Sequence, residues 1–259
     1  MSPEVVLFDL DDTLVIDQSS AEAAFLATSE IASKTFGCNP NQLTRAVWDN
    51  VHNLWYAAPT IKYCQGVGIR SWEGLWSHFS GDDPNLKFLK EWVSDYRRRV
   101  WFQALSTFGI ENMEFAQYLG DTLIAERRNR HFLFSDTKEC LEQLRGRYRL
   151  GIITNGSSDH QREKIERTGI AGFFDIIIIS EEVGIGKPDT RIFNLALEQL
   201  TINPEATVLV GDSLEMDIQG ARDANIRTVW INRSHTTTND QKIVPDIQIH
   251  SLDELTGIL

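Results

Sequence analysis

The sequence predicts an α/β protein: a parallel sheet with helices on its faces, interrupted near its start by a separate block of helices. Three observations carry this. Val5-Val6-Leu7-Phe8 is a continuous apolar run, as expected of a strand buried on both faces of a parallel sheet. From about residue 131 onward, similar runs alternate with helical patterns, which implies parallel pairing through right-handed crossovers. Between about 17 and 130 the pattern is helical only. The sheet domain is therefore placed at 1–16 plus 131–259, and an inserted all-α domain at 17–130.

The elements follow in order. The first strand delivers Asp9, Asp11 and Asp12 into the loop after it. In the helical block, Asn39-Pro40 joins a cap residue to a proline at the first helical position. Leu43, Val47, Val51, Leu54 and Trp55 then recur at helical spacing. Ser71 ahead of Trp72, Leu75, Trp76 and Phe79 predicts a second helix, and Asp83-Pro84 opens a third that runs to a stop at Gly109. All seven tryptophans except Trp230 lie in this block, and they read as its core. Arg97-Arg98-Arg99 and Arg127-Arg128-Asn129-Arg130 read as solvated helix faces; the alternative is a site for a second anionic group of a substrate.

In the second half, Asp136 and Glu139 form a capping-box pattern before Leu141 and Leu144. Leu150–Ile153 is a strand ending in Thr154-Asn155-Gly156, followed by a polar helix from Asp159 to Thr168. Strands are predicted at Ile176–Ile179, Val208–Val210, Thr228–Ile231 and Ile247–Ile249. Helices are predicted at Arg191–Leu200, Glu215–Ala224 and from Leu252 onward, and Ser234–Asp240 reads as a loop.

Composition narrows the function. Of 259 residues, 42% are hydrophobic and 24% charged, the balance of a soluble globular protein. A net charge of −12 argues against nucleic-acid binding, which needs a cationic surface. Cys38, Cys64 and Cys140 show no metal-ligand spacing and read as isolated buried thiols in a reducing compartment. Without a signal-peptide pattern or a membrane-spanning run, the expected location is cytoplasmic.

Three strand ends, far apart in sequence, carry polar groups: Asp9 and Asp11, Thr154 and Asn155, and Asp212 with Asp217. Lys187 sits in Gly184-Ile185-Gly186-Lys187-Pro188. In a parallel sheet such strand ends converge on one edge, where ligands bind. Oxygen ligands of this kind suit Mg²⁺, which takes one or two carboxylates plus a substrate phosphate. A carboxylate can accept a phosphoryl group, and a second one can protonate the leaving oxygen. Four aspartates would bring about −4 and a phosphate monoester about −2, against one lysine, so a divalent cation is called for.

Asp9-Leu10-Asp11-Asp12-Thr13, Thr154-Asn155-Gly156, Lys187-Pro188 and Gly211-Asp212-Ser213-Leu214-Glu215-Met216-Asp217 resemble the four ordered motifs of the haloacid-dehalogenase-like hydrolase superfamily. The resemblance implies a Rossmann-like core with the helical block as a cap. It implies Asp9 as nucleophile, Asp11 as general acid/base and Lys187 as charge stabiliser. Thr154 and Asn155 would bind the phosphate together with Lys187. Mg²⁺ would be held by Asp9, Asp212 and the Asp11 backbone carbonyl, with Thr13 and Asp217 in support. The stretches Thr154–Glu166 and Gly211–Arg233 are similar to the branch containing N-acylneuraminate-9-phosphatase and pyrimidine 5′-nucleotidases. The expected activity is a Mg²⁺-dependent phosphatase of small phosphorylated metabolites: sugar phosphates, acylneuraminate 9-phosphate or nucleoside 5′-monophosphates. A phosphomutase is the alternative on the same core. A 2-haloacid dehalogenase is disfavoured by Asp11, because a leaving halide needs no acid, and a non-catalytic binding protein is disfavoured by the filled motifs.

Overall fold

The computed structural model describes residues 3–236 and 242–259. Its strands are β1 (Val5–Phe8), β2 (Val15–Ile16), β3 (Phe132–Leu133), β4 (Arg149–Thr154), β5 (Ile176–Ile179), β6 (Thr207–Gly211), β7 (Arg227–Ile231) and β8 (Ile247–Ile249). Its α-helices are α1 (Gln18–Phe36), α2 (Pro40–Tyr56), α3 (Ile61–Gly66), α4 (Pro84–Ser106), α5 (Met113–Arg128), α6 (Thr137–Leu144), α7 (Ser158–Arg167), α8 (Ser180–Val183), α9 (Thr190–Leu200) and α10 (Gly220–Asp223).

Six strands form one sheet in the order β5-β4-β1-β6-β7-β8, and every neighbouring pair is parallel. This is the α/β fold expected. The apolar run of β1 is explained by its central place: all four of its residues are fully buried. Val6 and Phe8 face one core layer with Ile152, Val210 and α6 residues Leu141 and Leu144. Val5 and Leu7 face the other, with Leu209 and α9 residues Ile192, Phe193 and Ala196. Such alternation about a buried strand aligns the carboxyl ends of β1, β4 and β6 on one edge.

The chain divides into two compact units. One comprises Met1–Ile16, Phe132–Asn155 and Gln161–Leu259; the other comprises Asp17–His131 with Gly156–His160. The second unit is built from α1 to α5 around a core that includes Trp55, Trp76, Tyr96 and Trp101. Two of its helices start where the sequence says they should. The Asn39 side chain accepts from Gln42 N ahead of α2, and that of Asp83 from Asn85 N ahead of α4. Two strands the sequence did not reveal, β2 and β3, pair antiparallel where the chain leaves for the helices and where it returns. Two residues each is too short to leave a periodic signal.

Four local expectations are corrected. The stretch from Trp72 to Phe79 is a single 3₁₀ turn, Glu73–Leu75, not a helix. The backbone at Gly74 presses against Trp55 and Tyr96, where even a Cβ would lie 2.4 Å from the Trp55 ring. The Glu73 carboxylate binds Arg70 N at 2.8 Å and Ser157 N at 2.8 Å. Asp136 does not cap α6 with its side chain. Its carboxylate accepts from Arg233 at 2.9 and 3.0 Å, from Ser251 at 2.9 Å and from Leu252 N at 2.8 Å, and charge-assisted bonds of this kind outweigh a neutral cap. The predicted Glu215–Ala224 helix is a π-helical turn, Leu214–Gln219, running into α10, and the terminal helix is a 3₁₀ turn, Leu252–Gly257. Thr237–Asp240 of the predicted loop lie outside the described residues.

Candidate active site

Asp9 continues the line of β1: its N–H donates to Val210 O at 2.9 Å, so its backbone is held by β6. Its side chain is buried. The loop then turns tightly. Asp12 adopts a left-handed conformation (φ 59°), Asp12 N donates to Val15 O at 2.7 Å, and Val15 N donates to Leu10 O at 3.0 Å. The turn places Asp11 beside the helix that follows β4. Thr13 is fully buried, and its hydroxyl has no hydrogen-bond partner among the described residues.

Lys187 is the hub. Its Nζ donates to Asp9 Oδ1 at 2.6 Å, to Asp217 Oδ1 at 2.6 Å and to Ile153 O at 2.9 Å, which engages all three ammonium protons. Its backbone is gripped by Asn155, whose Nδ2 donates to Lys187 O at 2.9 Å and whose Oδ1 accepts from Lys187 N at 2.8 Å. The Asn155 side chain therefore holds the lysine loop. Thr154 is buried at the end of β4.

Asp217 is buried, and its second oxygen accepts from Ser213 N at 3.0 Å. It lies so close to Gly211 that a Cβ there would meet it at 2.5 Å, so only glycine fits that position. Ligand oxygens of Asp9, Asp212 and Asp217 all lie within 4.8 Å of one another.

The electrostatics follow from this crowding. Burial, followed by the charges of Asp9 and Asp217, pushes the Asp212 carboxyl up to about 9. Burial raises Asp9 as well, against the pull of Lys187. Burial works to lower the Lys187 ammonium, but Asp217 and Asp9 outweigh it and hold it well above the ordinary lysine value. Three carboxylates and one lysine leave a surplus of negative charge in a buried space. Hard oxygen donors with a charge deficit of this sign fit a divalent cation such as Mg²⁺.

Thus the structure brings Asp9, Asp212, Asp217 and Lys187 together, with Thr154 and Asn155 on the neighbouring strand end. Asp11 does not join the side-chain carboxylate cluster. Its oxygens accept instead from two residues that the sequence showed only as part of a polar helix: Lys164 Nζ at 2.6 Å and Gln161 Nε2 at 3.0 Å. The signal that points to them is their spacing: three apart on the first helix after a motif strand, hence on one face. The arginine clusters are not simply solvated. Arg97 is buried and donates to the carbonyls of Gly74 and Ser77, and Arg127 is fully buried and pairs with Asp17.

The family model for haloacid dehalogenase-like hydrolases matches residues 3–225. The chain belongs to that family. It is 34% identical to phosphoserine phosphatase of Thermus thermophilus over 97% of either chain. It is 43% identical to the pyrimidine 5′-nucleotidase YjjG of Escherichia coli over 46% of this chain and 53% of that protein. It is 34% identical to mouse (Mus musculus) N-acylneuraminate-9-phosphatase over 64% of this chain and 68% of that protein. Among solved structures, the HAD-hydrolase YfnB of Bacillus subtilis, bound to magnesium, superposes with a TM-score of 0.69 at 24% identity, covering 100% and 99% of the two chains. A 2-haloacid dehalogenase of Pseudomonas syringae does so with a TM-score of 0.61 at 30% identity, covering 100% and 98%. No helix among the described residues is long and apolar enough to cross a membrane.

Proposed function

We propose that this hydrolase is a phosphatase of small phosphorylated metabolites that works through a phosphorylated Asp9. The observation that carries the reading is the buried Lys187, bonded at 2.6 Å to both Asp9 and Asp217 at the carboxyl edge of the sheet. An Asp9 oxygen attacks phosphorus, and the bond from phosphorus to the ester oxygen breaks. That oxygen leaves with the proton of Asp11. Water then attacks the phosphorus of the acyl phosphate, Asp11 takes the proton from the water, and inorganic phosphate departs with Asp9 restored. Lys187 offsets the charge on Asp9 and the phosphoryl oxygens, Asn155 fixes the lysine loop, and the Thr154 hydroxyl donates to the phosphoryl group. Asp9, Asp212 and the Asp11 backbone carbonyl would hold Mg²⁺, which would supply the missing positive charge. Asp217 anchors Lys187.

Asp11 favours phosphoryl transfer over dehalogenation, since a departing halide takes no proton. The inserted helices are proposed to act as the cap that reads the substrate. Phosphoserine leads the substrate candidates, because the phosphoserine phosphatase match runs through the helical unit as well. Sugar phosphates, acylneuraminate 9-phosphate and nucleoside 5′-monophosphates follow. The test is phosphate release from this panel with and without Mg²⁺. Turnover should require the metal and fall by about 10⁴-fold or more in Asp9→Asn. Release that survives Asp9→Asn, or halide release from a 2-haloacid with no phosphate release, would sink the reading.

A further inference from the structure

Asp11 hangs from a turn rather than a strand, and its side chain is 28% exposed. An aspartate so placed can occupy several staggered wells, and only some would suit proton exchange beside Asp9. In this chain its two oxygens are divided between two buried donors. Lys164 Nζ holds Oδ1 at 2.6 Å, and Gln161 Nε2 holds Oδ2 at 3.0 Å. Both residues belong to α7, whose start follows directly on the Thr154 strand end.

Neither donor is explained by solubility or helix propensity. The Lys164 side chain is 2% exposed and Gln161 is fully buried. Burying a lysine is costly unless it is paired, so its position is set by what it holds. Gln161 Nε2 reaches further, to Thr154 Oγ1 at 2.6 Å and Asn155 O at 3.0 Å. One side-chain amide thus ties the proposed acid/base after β1 to the proposed phosphate-binding hydroxyl after β4. By donating to Thr154 Oγ1, it also fixes that hydroxyl as a donor. The hydroxyl's own proton has only a 3.4 Å approach to Asn155 O, beyond good hydrogen-bond range, and is left for a phosphoryl oxygen.

We infer that Lys164 and Gln161 are positioning residues, Lys164 fixing the Asp11 carboxylate for proton exchange with the leaving oxygen and Gln161 aligning Asp11 with the Thr154 hydroxyl. The inference rests on the phosphatase reading for its chemistry, and its geometry can be tested apart from it. A merely structural ion pair would, on removal, slow all substrates alike. A positioned acid matters most when the leaving oxygen is strongly basic.

The experiment compares kcat/KM for phenyl phosphate and 4-nitrophenyl phosphate in the wild type, Lys164→Met, Lys164→Arg and Gln161→Met. Lys164→Met should lose at least about tenfold more on phenyl phosphate than on 4-nitrophenyl phosphate. Lys164→Arg, which keeps a cation, should recover much of that gap. Gln161→Met should lose on both substrates, because the Thr154 hydroxyl is released as well. Equal losses on the two substrates in Lys164→Met would overturn the role of Lys164, and an unchanged Gln161→Met would overturn that of Gln161. Crystal structures of Lys164→Arg and Lys164→Met supply a readout that needs no turnover. The Asp11 carboxylate should leave its position in Lys164→Met and keep it in Lys164→Arg; an Asp11 that stays fixed in Lys164→Met overturns the clamp. If the wild type releases no phosphate at all, the phosphatase reading fails, and these structures still decide whether the clamp exists.

Discussion

Both units of the molecule bury charge, and they do so differently. In the helical unit, the buried Arg127 has the carboxylate of Asp17 and the face of Trp76, and the buried Arg97 has the carbonyls of Gly74 and Ser77. Arg127 is matched by a carboxylate and Arg97 by two carbonyls, and packing explains the pattern. In the sheet unit, Asp9, Asp212 and Asp217 crowd around Lys187, and acid outnumbers base. Packing does not explain a surplus of like charge. Balanced buried charge marks architecture, and unbalanced buried charge marks a place where something charged must come and go.

The sharpest way to break this contrast is Lys187→Met. It leaves Asp9 and Asp217 without their cation and should destabilise the metal-free protein by about 3–5 kcal/mol, read from denaturant unfolding. The matching change in the helical unit behaves otherwise. Arg127→Met alone should cost about 3 kcal/mol, and Asp17→Leu added to it should recover most of the loss, since an apolar pair can replace a buried ion pair. A double variant no more stable than the single one would contradict the architectural view of that pair.

Asp212→Asn should move stability the other way. The raised Asp212 carboxyl means that the folded, metal-free protein binds more protons there than the unfolded chain, so stability falls as pH rises from about 4 toward 9. The variant should melt higher than the wild type in EDTA at pH 8, with a flatter pH slope. On the proposed metal site, Mg²⁺ should raise the Tm of the wild type and leave that of the variant unchanged. The smallest effect concerns Asp136. Burial works to raise its carboxyl, but Arg233 and Leu252 N outweigh it and hold it low. A lowered acid contributes stability above the unfolded value of about 3.9, and the contribution is lost as pH falls through the folded value. The advantage of the wild type over Asp136→Asn should be full above about pH 5 and shrink under more acidic conditions, as urea midpoints would show.

The same contrast explains what the sequence made legible. β1 was readable to the residue because a strand buried on both faces must be apolar without interruption, while the edge strands β5 and β8 were readable from a run of four isoleucines and from the alternation Ile247-Gln248-Ile249, with Gln248 exposed. The acids and Lys187 stood out because nothing in packing calls for them at strand ends. Gln161 and Lys164 were hidden, because buried polar residues on a short polar helix look the same in sequence as solvated ones. The stretch from Trp72 to Phe79 misled for the opposite reason: its aromatic spacing mimics a helix, while the Glu73 carboxylate and the Gly74 contact with Trp55 set a tighter turn. The arginine clusters misled because composition alone does not tell a buried guanidinium from a wet one.

The short β2–β3 ribbon has an evolutionary consequence. Val15 and Ile16 pair with Leu133 and Phe132, so the exit and re-entry points of the inserted segment lie side by side. A loop whose ends are already adjacent can change length or content at small entropic cost. A different insert could be spliced between the same two strands without disturbing a hydrogen bond of the parallel sheet. If the inserted helices read the substrate as proposed, the fold separates heredity of chemistry from heredity of recognition: one stretch of gene can be exchanged while the other stays still.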